Sequence, residues 1–299
     1  MNLIALLLGL LLERVATRLL HLRELRWLDP YFDWCLARLD QFSSATILLA
    51  VVLVVLPVLP VFWLQQAFAH ALFGLLYIAF AAFVLLFSLG PRDLGSEVDD
   101  YADAVASGDN ARIDRAAKIL TESDLPAEGR VRVLAVEEAV LVQANNRIFG
   151  VIFWFMVLGP AGAWLFRVAD LMRRRAVFEA GRKTSAGAAV PGYLQVVQSI
   201  YGLFAWVPAR LLALGYAMAG SFEEAVSDWR TYYETCSDKF FHVNDAILAA
   251  AGRGALREEE KEAETFPLGP VRAAMKLVRR TLLVWVTVIS LLTVAGQVA

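Results

Sequence analysis

The sequence predicts an all-α, polytopic integral membrane protein with helical cytoplasmic inserts and broken or re-entrant helices. Three observations lead there. The 28 Lys and Arg residues leave two stretches empty, Leu39–Pro91 and the nineteen residues after Arg280, and the first carries one charge of either sign, Asp40. Mean hydropathy is +0.56 and 59% of the residues are hydrophobic, more than soluble domains carry. The period-two alternation of half-buried strands is absent throughout. Because cytoplasmic loops collect Lys and Arg, the empty stretches mark where the chain leaves that side of a membrane.

Taken in order, Met1–Leu12 is apolar but reaches only about 18 Å as a helix. Glu13 and Arg14 follow it, where a signal peptide would place small residues. It reads as an interfacial helix dipping into the cytoplasmic leaflet, and segment 1–43 is this helix with the amphipathic stretch behind it. Segment 44–90 is a transmembrane hairpin. Its arms, Ala45–Trp63 and Ala67–Phe87, can each cross a core of about 30 Å, and the polar pair Gln65-Gln66 separates them. Segment 91–146 is a cytoplasmic helical insert: Glu97–Ala106 ends at Ser107-Gly108, Asp109 caps a helix through Leu120, and Pro126 opens a third to about Asn146. Tyr101, Ala104 and Val105 on the first helix suit packing against Ile113, Ala116, Ala117 and Leu120 on the second.

Segment 147–220 holds membrane-embedded broken helices with the candidate site. Ile148–Phe166 and Tyr193–Ala219 are apolar enough to cross. A crossing by the first, however, would carry Arg167, Arg173, Arg174, Arg175, Arg182 and Lys183 to the far side, against the charge rule. Gly159-Pro160 and Pro208 each remove a backbone donor, so both segments are expected to break and return; the rival is a four-span protein in which Ile148–Phe166 truly crosses. Segment 221–276 is a second cytoplasmic helical block. Ser221 and Glu224 form a capping box for a helix ending near Cys236. Ser237 caps the next, Gly252 ends it, and Arg257–Glu262 is a solvated charged stretch. Segment 277–299 is the C-terminal transmembrane helix, with Thr281–Ala299 as its apolar run. Both inserts are acidic, 12 acids against 7 bases over Arg92–Arg147 and 11 against 5 over Ser221–Phe266, so they stand off an anionic bilayer surface. The N-terminus and both inserts are therefore cytoplasmic.

The net charge of −2 argues against nucleic acid as a partner. Cys35 and Cys236, with His21, His70 and His242, make no metal-ligand pattern, and there is no P-loop, G-x-S-x-G or H-E-x-x-H. No metal and no cofactor are expected. Chemistry concentrates instead at three polar interruptions: Asn145-Asn146-Arg147, Arg167 with Asp170, and Arg210 within Trp206-Val207-Pro208-Ala209-Arg210-Leu211. An arginine in an apolar run needs a partner or an aqueous pocket. The functional reading is one cytoplasm-facing anion pocket built from Arg147, Arg167, Arg210, Asn146 and Glu13. The plainer reading is arginine heads snorkelling to the interface, with Arg167 paired to Asp170 and Arg173-Arg174-Arg175 anchoring the chain to the membrane surface. Among the acids only Glu13 lies in a run expected to bury it. The expected partners are membrane lipids and an anionic small molecule or a cell-wall-recycling or regulatory protein.

Several of these positions resemble one family. Glu13-Arg14 closing the N-terminal helix, Phe153-Trp154 before Gly159-Pro160, Trp206–Leu211, and Lys276-Leu277-Val278-Arg279-Arg280 followed by Leu291-Leu292-Thr293 look like AmpE, inner-membrane proteins associated with induction of AmpC β-lactamase. That resemblance spans the whole chain and implies a modulator of the response to β-lactams and cell-wall stress. AmpE is itself similar to the CobD/CbiB membrane proteins of cobalamin biosynthesis, whose patterns stand here as Gly159-Pro160-Ala161-Gly162-Ala163, Phe166-Arg167 and Pro208-Ala209-Arg210-Leu211. Where the synthase pattern has acidic residues, this chain has Ala144-Asn145-Asn146-Arg147 and Asp170-Leu171-Met172-Arg173. Amide-bond formation on a carboxylate needs charge-stabilising groups. A scaffold with the arginines but without those acids reads as a binding or sensing relative, and an amide-forming or phosphate-handling enzyme is the alternative.

Overall fold

The computed structural model of the chain describes residues 2–16, 25–41, 46–69, 74–90, 93–122, 129–235, 243–263 and 268–296. Every regular element among them is helical. Four helices are long and apolar enough to cross a membrane: Ile47–Phe68, Gly129–Leu158, Gly192–Ala219 and Gly269–Val294. This is an all-α, polytopic membrane protein. The chain forms two compact units, one of Met1–Pro91 and Gly150–Ala205, the other of Arg92–Phe149 and Trp206–Val298.

In the first unit, α1 (Asn2–Ala16) packs on α5 (Leu75–Ser88). Gly9 permits the approach, since a Cβ there would lie 2.6 Å from Leu85 Cδ2. Helix α2 (Asp29–Gln41) buries Phe32, Cys35, Leu36 and Leu39, the i, i+3, i+4, i+7 face of an amphipathic helix. Helices α3 (Thr46–Val55) and α4 (Leu59–Phe68) are joined by one 3₁₀ turn at Leu56–Val58 and make one apolar run of 22 residues. These bounds differ from the expected arms Ala45–Trp63 and Ala67–Phe87. The run continues through Gln65-Gln66, and α5 begins only at Leu75, after Gly74 with φ +83°. Its 14 residues reach about 21 Å, less than the bilayer core.

Gln65 has work that keeps it inside the helix. Its Oε1 accepts from the Ala161 N–H at 3.0 Å and its Nε2 donates to the Leu158 carbonyl at 3.3 Å, so it closes both sides of the break between α9 (Gly150–Leu158) and α10 (Pro160–Ser185). Gly159 takes φ +69° there and Pro160 opens α10, where the missing N–H costs nothing. The chain doubles back tightly enough that a Cβ on Gly162 would lie 2.2 Å from the Trp154 carbonyl oxygen. The expected break at Gly159-Pro160 is thus present.

The break expected at Pro208 is absent. Helix α11 runs from Gly192 to Ala219 with Pro208 inside it. Pro208 has no N–H for the carbonyl four residues back, Phe204, and the Trp154 indole donates to that oxygen instead, at 3.0 Å. With its orphan acceptor satisfied, the helix continues.

In the second unit, α6 (Leu94–Ser107) ends on Gly108 at φ +68°, and α7 (Asn110–Thr121) begins under Asp109, whose side chain accepts from the Ala111 and Arg112 N–H groups. Tyr101, Ala104, Ala117 and Leu120 are buried between them as expected, with Val105, Ile113 and Ala116 partly buried. Pro126 and Ser237 lie outside the described residues. Helix α8 (Gly129–Ala144) passes into a five-residue π turn, Asn145–Phe149. Helix α12 (Phe222–Thr235) starts where the Ser221–Glu224 spacing placed it. Helix α13 (Asn244–Ala263) does not stop at Gly252. That glycine serves close packing, because a Cβ there would meet Leu141 Cδ1 at 2.6 Å, and one on Gly254 would meet the Ala225 backbone at 2.7 Å. Helix α14 (Gly269–Val294) begins twelve residues before the apolar tail and carries Arg272, Lys276, Arg279 and Arg280 on its first turns. Its buried side contributes Val271, Ala274, Leu277 and Val278 to a core with Leu141, Phe149, Leu212 and Tyr216.

Candidate anion-binding site

Helix α10 places Arg167, Asp170, Arg173 and Arg174 on one face, since residues three, six and seven apart in a helix lie along one stripe. Asp170 is fully buried. Its Oδ2 accepts from Arg167 Nη1 at 3.1 Å and its Oδ1 from Arg173 Nη2 at 2.9 Å, while Arg174 forms an ion pair with it, Nε lying 2.9 Å from Oδ2. Burial alone would push this carboxyl up, but Arg174, Arg173 and Arg167 outweigh it and hold it at about 2. Three guanidinium groups thus gather around one carboxylate. Arg173 also lies over the Tyr201 ring, 4.8 Å from its centroid, and Arg173 and Arg174 keep part of their side chains exposed.

Arg175 pairs with Asp33 through two bonds of 2.7 and 2.8 Å, and Lys183 with Asp40 at 2.9 Å. The triple-arginine run is therefore engaged with carboxylates of its own unit, which differs from the expected surface anchor. The cause lies in α2, whose polar face presents Asp33 and Asp40 seven residues apart.

In the second unit, the π turn carries Arg147. Its Nη1 donates to Glu97 Oε2 at 2.6 Å and its Nε to Gln143 Oε1 at 3.2 Å, and both Arg147 (4% exposed) and Glu97 (6%) are buried. A π turn widens the helix by one residue and recurs at functional sites. Asn146 is buried in the same turn, and neither Nδ2 nor Oδ1 of the fully buried Asn145 has a hydrogen-bond partner among the described residues. Arg210 is half-buried. Its Nη1 donates to Asn244 Oδ1 and to the Trp206 carbonyl at 2.9 Å, and its guanidinium carbon sits 4.4 Å from the Trp206 ring centroid.

The five residues singled out by sequence are thus distributed over both units. Arg147, Asn146 and Arg210 belong to one, Arg167 and Glu13 to the other. Glu13 lies in α1, and its side chain is outside the described residues, as are His21, His70, His242 and Cys236. The expected pairing of Arg167 with Asp170 is present. Sequence reasoning missed the burial of Glu97, Glu137 and Asp170. Helical spacing carried a signal for two of them: Glu97 shares a face with Leu94, Tyr101 and Ala104, and Glu137 with Leu141 and Ala144. Nothing local marks Asn244 as a partner of Arg210. Among the described residues, no three His, Cys, Asp or Glu side chains lie together as metal ligands.

The chain was compared with known proteins. It is similar to the cobalamin biosynthesis protein CobD of Chromobacterium violaceum, with 27% identity over 236 residues, 73% of this chain and 72% of that protein. It is also similar to the cobalamin biosynthesis protein CobD of Stutzerimonas stutzeri, with 31% identity over 180 residues, 59% of this chain and 55% of that protein. No solved structure matches. The family described as regulatory signalling modulator protein AmpE matches residues 1–299. With that match running through every arginine-bearing segment described above, the chain belongs to the AmpE family.

Proposed function

We propose that this protein is an inner-membrane modulator of β-lactamase induction and of the response to β-lactams and cell-wall stress. It works by holding an anionic ligand or partner protein at its cytoplasmic face, with its N-terminus on that side. Membership of the AmpE family is the observation that carries the regulatory reading. The clustering of Arg167, Arg173 and Arg174 supports an anion as the ligand, because guanidinium groups stay charged and form forked bonds to carboxylate or phosphate. In this reading Arg167, Arg147, Arg210, Asn146 and Glu13 serve binding.

The alternative is an enzyme resembling CobD, forming an amide bond or handling a phosphorylated substrate, and identity to the two named relatives favours it. Asp170 weighs against it: a carboxylate surrounded by three guanidinium groups is a poor ligand for a divalent cation, and attraction to the metal competes with three arginines at about 3 Å. The test is β-lactamase induction in a deletion strain complemented with Arg210→Ala, Arg210→Lys and Arg167→Lys, after membrane abundance is matched. Both Arg210 variants are expected to lose most induction, since Lys keeps the charge but not the fork. Normal accumulation with wild-type induction by Arg210→Ala overturns the ligand reading.

A further inference from the structure

Helix α14 carries four basic residues and no acidic one. Its buried side holds Val271, Ala274, Leu277 and Val278, and Arg272, Lys276 and Arg279 lie exposed on the opposite side. Steps of four and three residues keep these three on one stripe. The stripe continues through Leu283, Thr287, Ser290 and Val294, with Leu283 69% and Val294 85% exposed. It turns from cationic to apolar between Arg279 and Leu283. Both hydroxyls in the apolar half are satisfied within the helix, Thr287 donating to the Leu283 carbonyl at 2.8 Å and Ser290 to the Val286 carbonyl at 2.7 Å. A helix face in hydrocarbon disposes of its polar groups in this way.

Length fixes the level of the charges. A crossing needs about 20 residues, and counting back that many from Val294 reaches Met275. Lys276 and Arg279 then fall at the edge of the hydrocarbon, from which long cationic side chains reach outward to the headgroups. Arg272 stands beyond them, about 10 Å before Arg279 along the axis. Neither Arg272 nor Arg279 has a side-chain ion pair or hydrogen bond among the described residues. Arg279 rests against α6: a Cβ on Gly95 would lie 3.0 Å from its Nη2, so the glycine leaves the guanidinium room over the first turn. Asp93, which flanks that turn, spends Oδ1 on the Gly95 N–H at 3.3 Å.

We propose that this face of α14 binds an anionic phospholipid, with the headgroup phosphate at Lys276 and Arg279 and an acyl chain along Leu283, Thr287 and Val294. Charge decides the class of occupant. A zwitterionic headgroup brings an ammonium towards three cations, whereas an anionic one brings the phosphate alone. A second copy of the chain would set the same cations against themselves. A soluble acidic partner would meet the basic half and leave Leu283 and Val294 uncovered. One anionic phospholipid covers both halves, because its charge and its hydrocarbon are joined in the order that the stripe presents. None of these residues belongs to the anion site of the regulatory reading, so the two stand or fall separately.

The experiment is native mass spectrometry of the full-length chain, released from micelles that carry equal amounts of phosphatidylglycerol and phosphatidylcholine with the same acyl chains. The wild type should retain phosphatidylglycerol in preference. Arg279→Gln should lower that preference about fivefold, the equivalent of about 1 kcal/mol for one basic residue at an anionic lipid. The triple variant Arg272→Gln/Lys276→Gln/Arg279→Gln should bring it near parity. Arg112→Gln/Arg115→Gln, which removes two exposed cations of α7, should leave it unchanged. Retained phosphatidylcholine reports an intact apolar half in every variant, so loss of fold is told apart from loss of preference. Glycerol 3-phosphate, the headgroup chemistry without chains, should not displace the lipid at equal concentration. Four results would overturn the proposal. The wild type could retain both lipids alike, or the triple variant could keep the preference. Displacement by glycerol 3-phosphate would assign the basic half to a free anion. A dimer mass lost in the triple variant would assign the face to a second copy.

Discussion

Trp154→Phe should destabilise the protein through a residue that the substitution does not touch. The Trp154 indole N–H is the donor for the Phe204 carbonyl, which lost its helical partner to Pro208. Phenylalanine keeps an aromatic ring beside Phe204, where the two rings now meet edge to face at 5.7 Å, but it has no N–H. The lost bond contributes about 1 kcal/mol, and an acceptor left dry adds about 1–3 kcal/mol. The expected loss is therefore about 2–4 kcal/mol, plus a smaller term for the trimmed ring. Pro208→Ala separates these contributions, because an N–H at position 208 can bond Phe204 in the ordinary helical way. In the Pro208→Ala background, Trp154→Phe should keep its trimming cost and lose the orphan-acceptor cost, giving a coupling of about 1–3 kcal/mol in the double-mutant cycle. Unfolding of the purified protein by denaturing detergent in mixed micelles measures all four species. A coupling within about 0.3 kcal/mol of zero would show that the indole bond does not support the helix through its proline.

The other predictions concern Asp170 and α13. The Asp170 carboxyl is held at about 2 by its three arginines, below the unfolded value of about 3.9, so its stabilisation is present above about pH 4 and lost as pH falls towards 2. Acid unfolding of the wild type should therefore show a loss of roughly 2–3 kcal/mol across that window that Asp170→Asn lacks. At neutral pH Asp170→Asn should itself destabilise the protein, because the ion pairs of Arg167, Arg173 and Arg174 with the carboxylate are lost. In α13, Gly254→Ala should be the worse of two glycine substitutions. Its Cβ meets the backbone of Ala225 and Glu224, whereas that of Gly252→Ala meets only the movable end of Leu141. Thermal unfolding should show about 3 kcal/mol or more for the first and about 1 kcal/mol for the second, and equal costs would contradict the packing described.

Local pattern carried much of this fold. The caps around Asp109 and Gly108, the packing face of α6 on α7, the break at Gly159 and the pairing of Arg167 with Asp170 all depend on residues within a few positions of one another. Sequence could read them because their physics is short-ranged. What it could not read depends on partners far along the chain. Pro208 looks like a breaker until Trp154 is known to stand over Phe204. Gly252 looks like a terminator until Leu141 arrives against it. Gln65 looks like a loop residue until the α9–α10 turn needs a donor and an acceptor together. Arg147 was legible as a charge needing an anion, but Glu97 as that anion lies fifty positions away, and no spacing rule links them.

The π turn at Asn145–Phe149 also bears on how this chain tolerates changes in length. In an ordinary helix, deleting one residue rotates everything downstream by about 100° and turns a buried face outward. A π turn already holds one residue more than the α turn it replaces. Removing a residue from 145–149 lets the i to i−4 ladder close, and α8 and α9 keep their phase. Asn145, whose buried amide has no partner among the described residues, can be lost from the turn without giving up a side-chain hydrogen bond seen there. This turn is a splice point in a helix where chain length and facial register are uncoupled, and a single-residue deletion there should leave both flanking faces pointing where they do now.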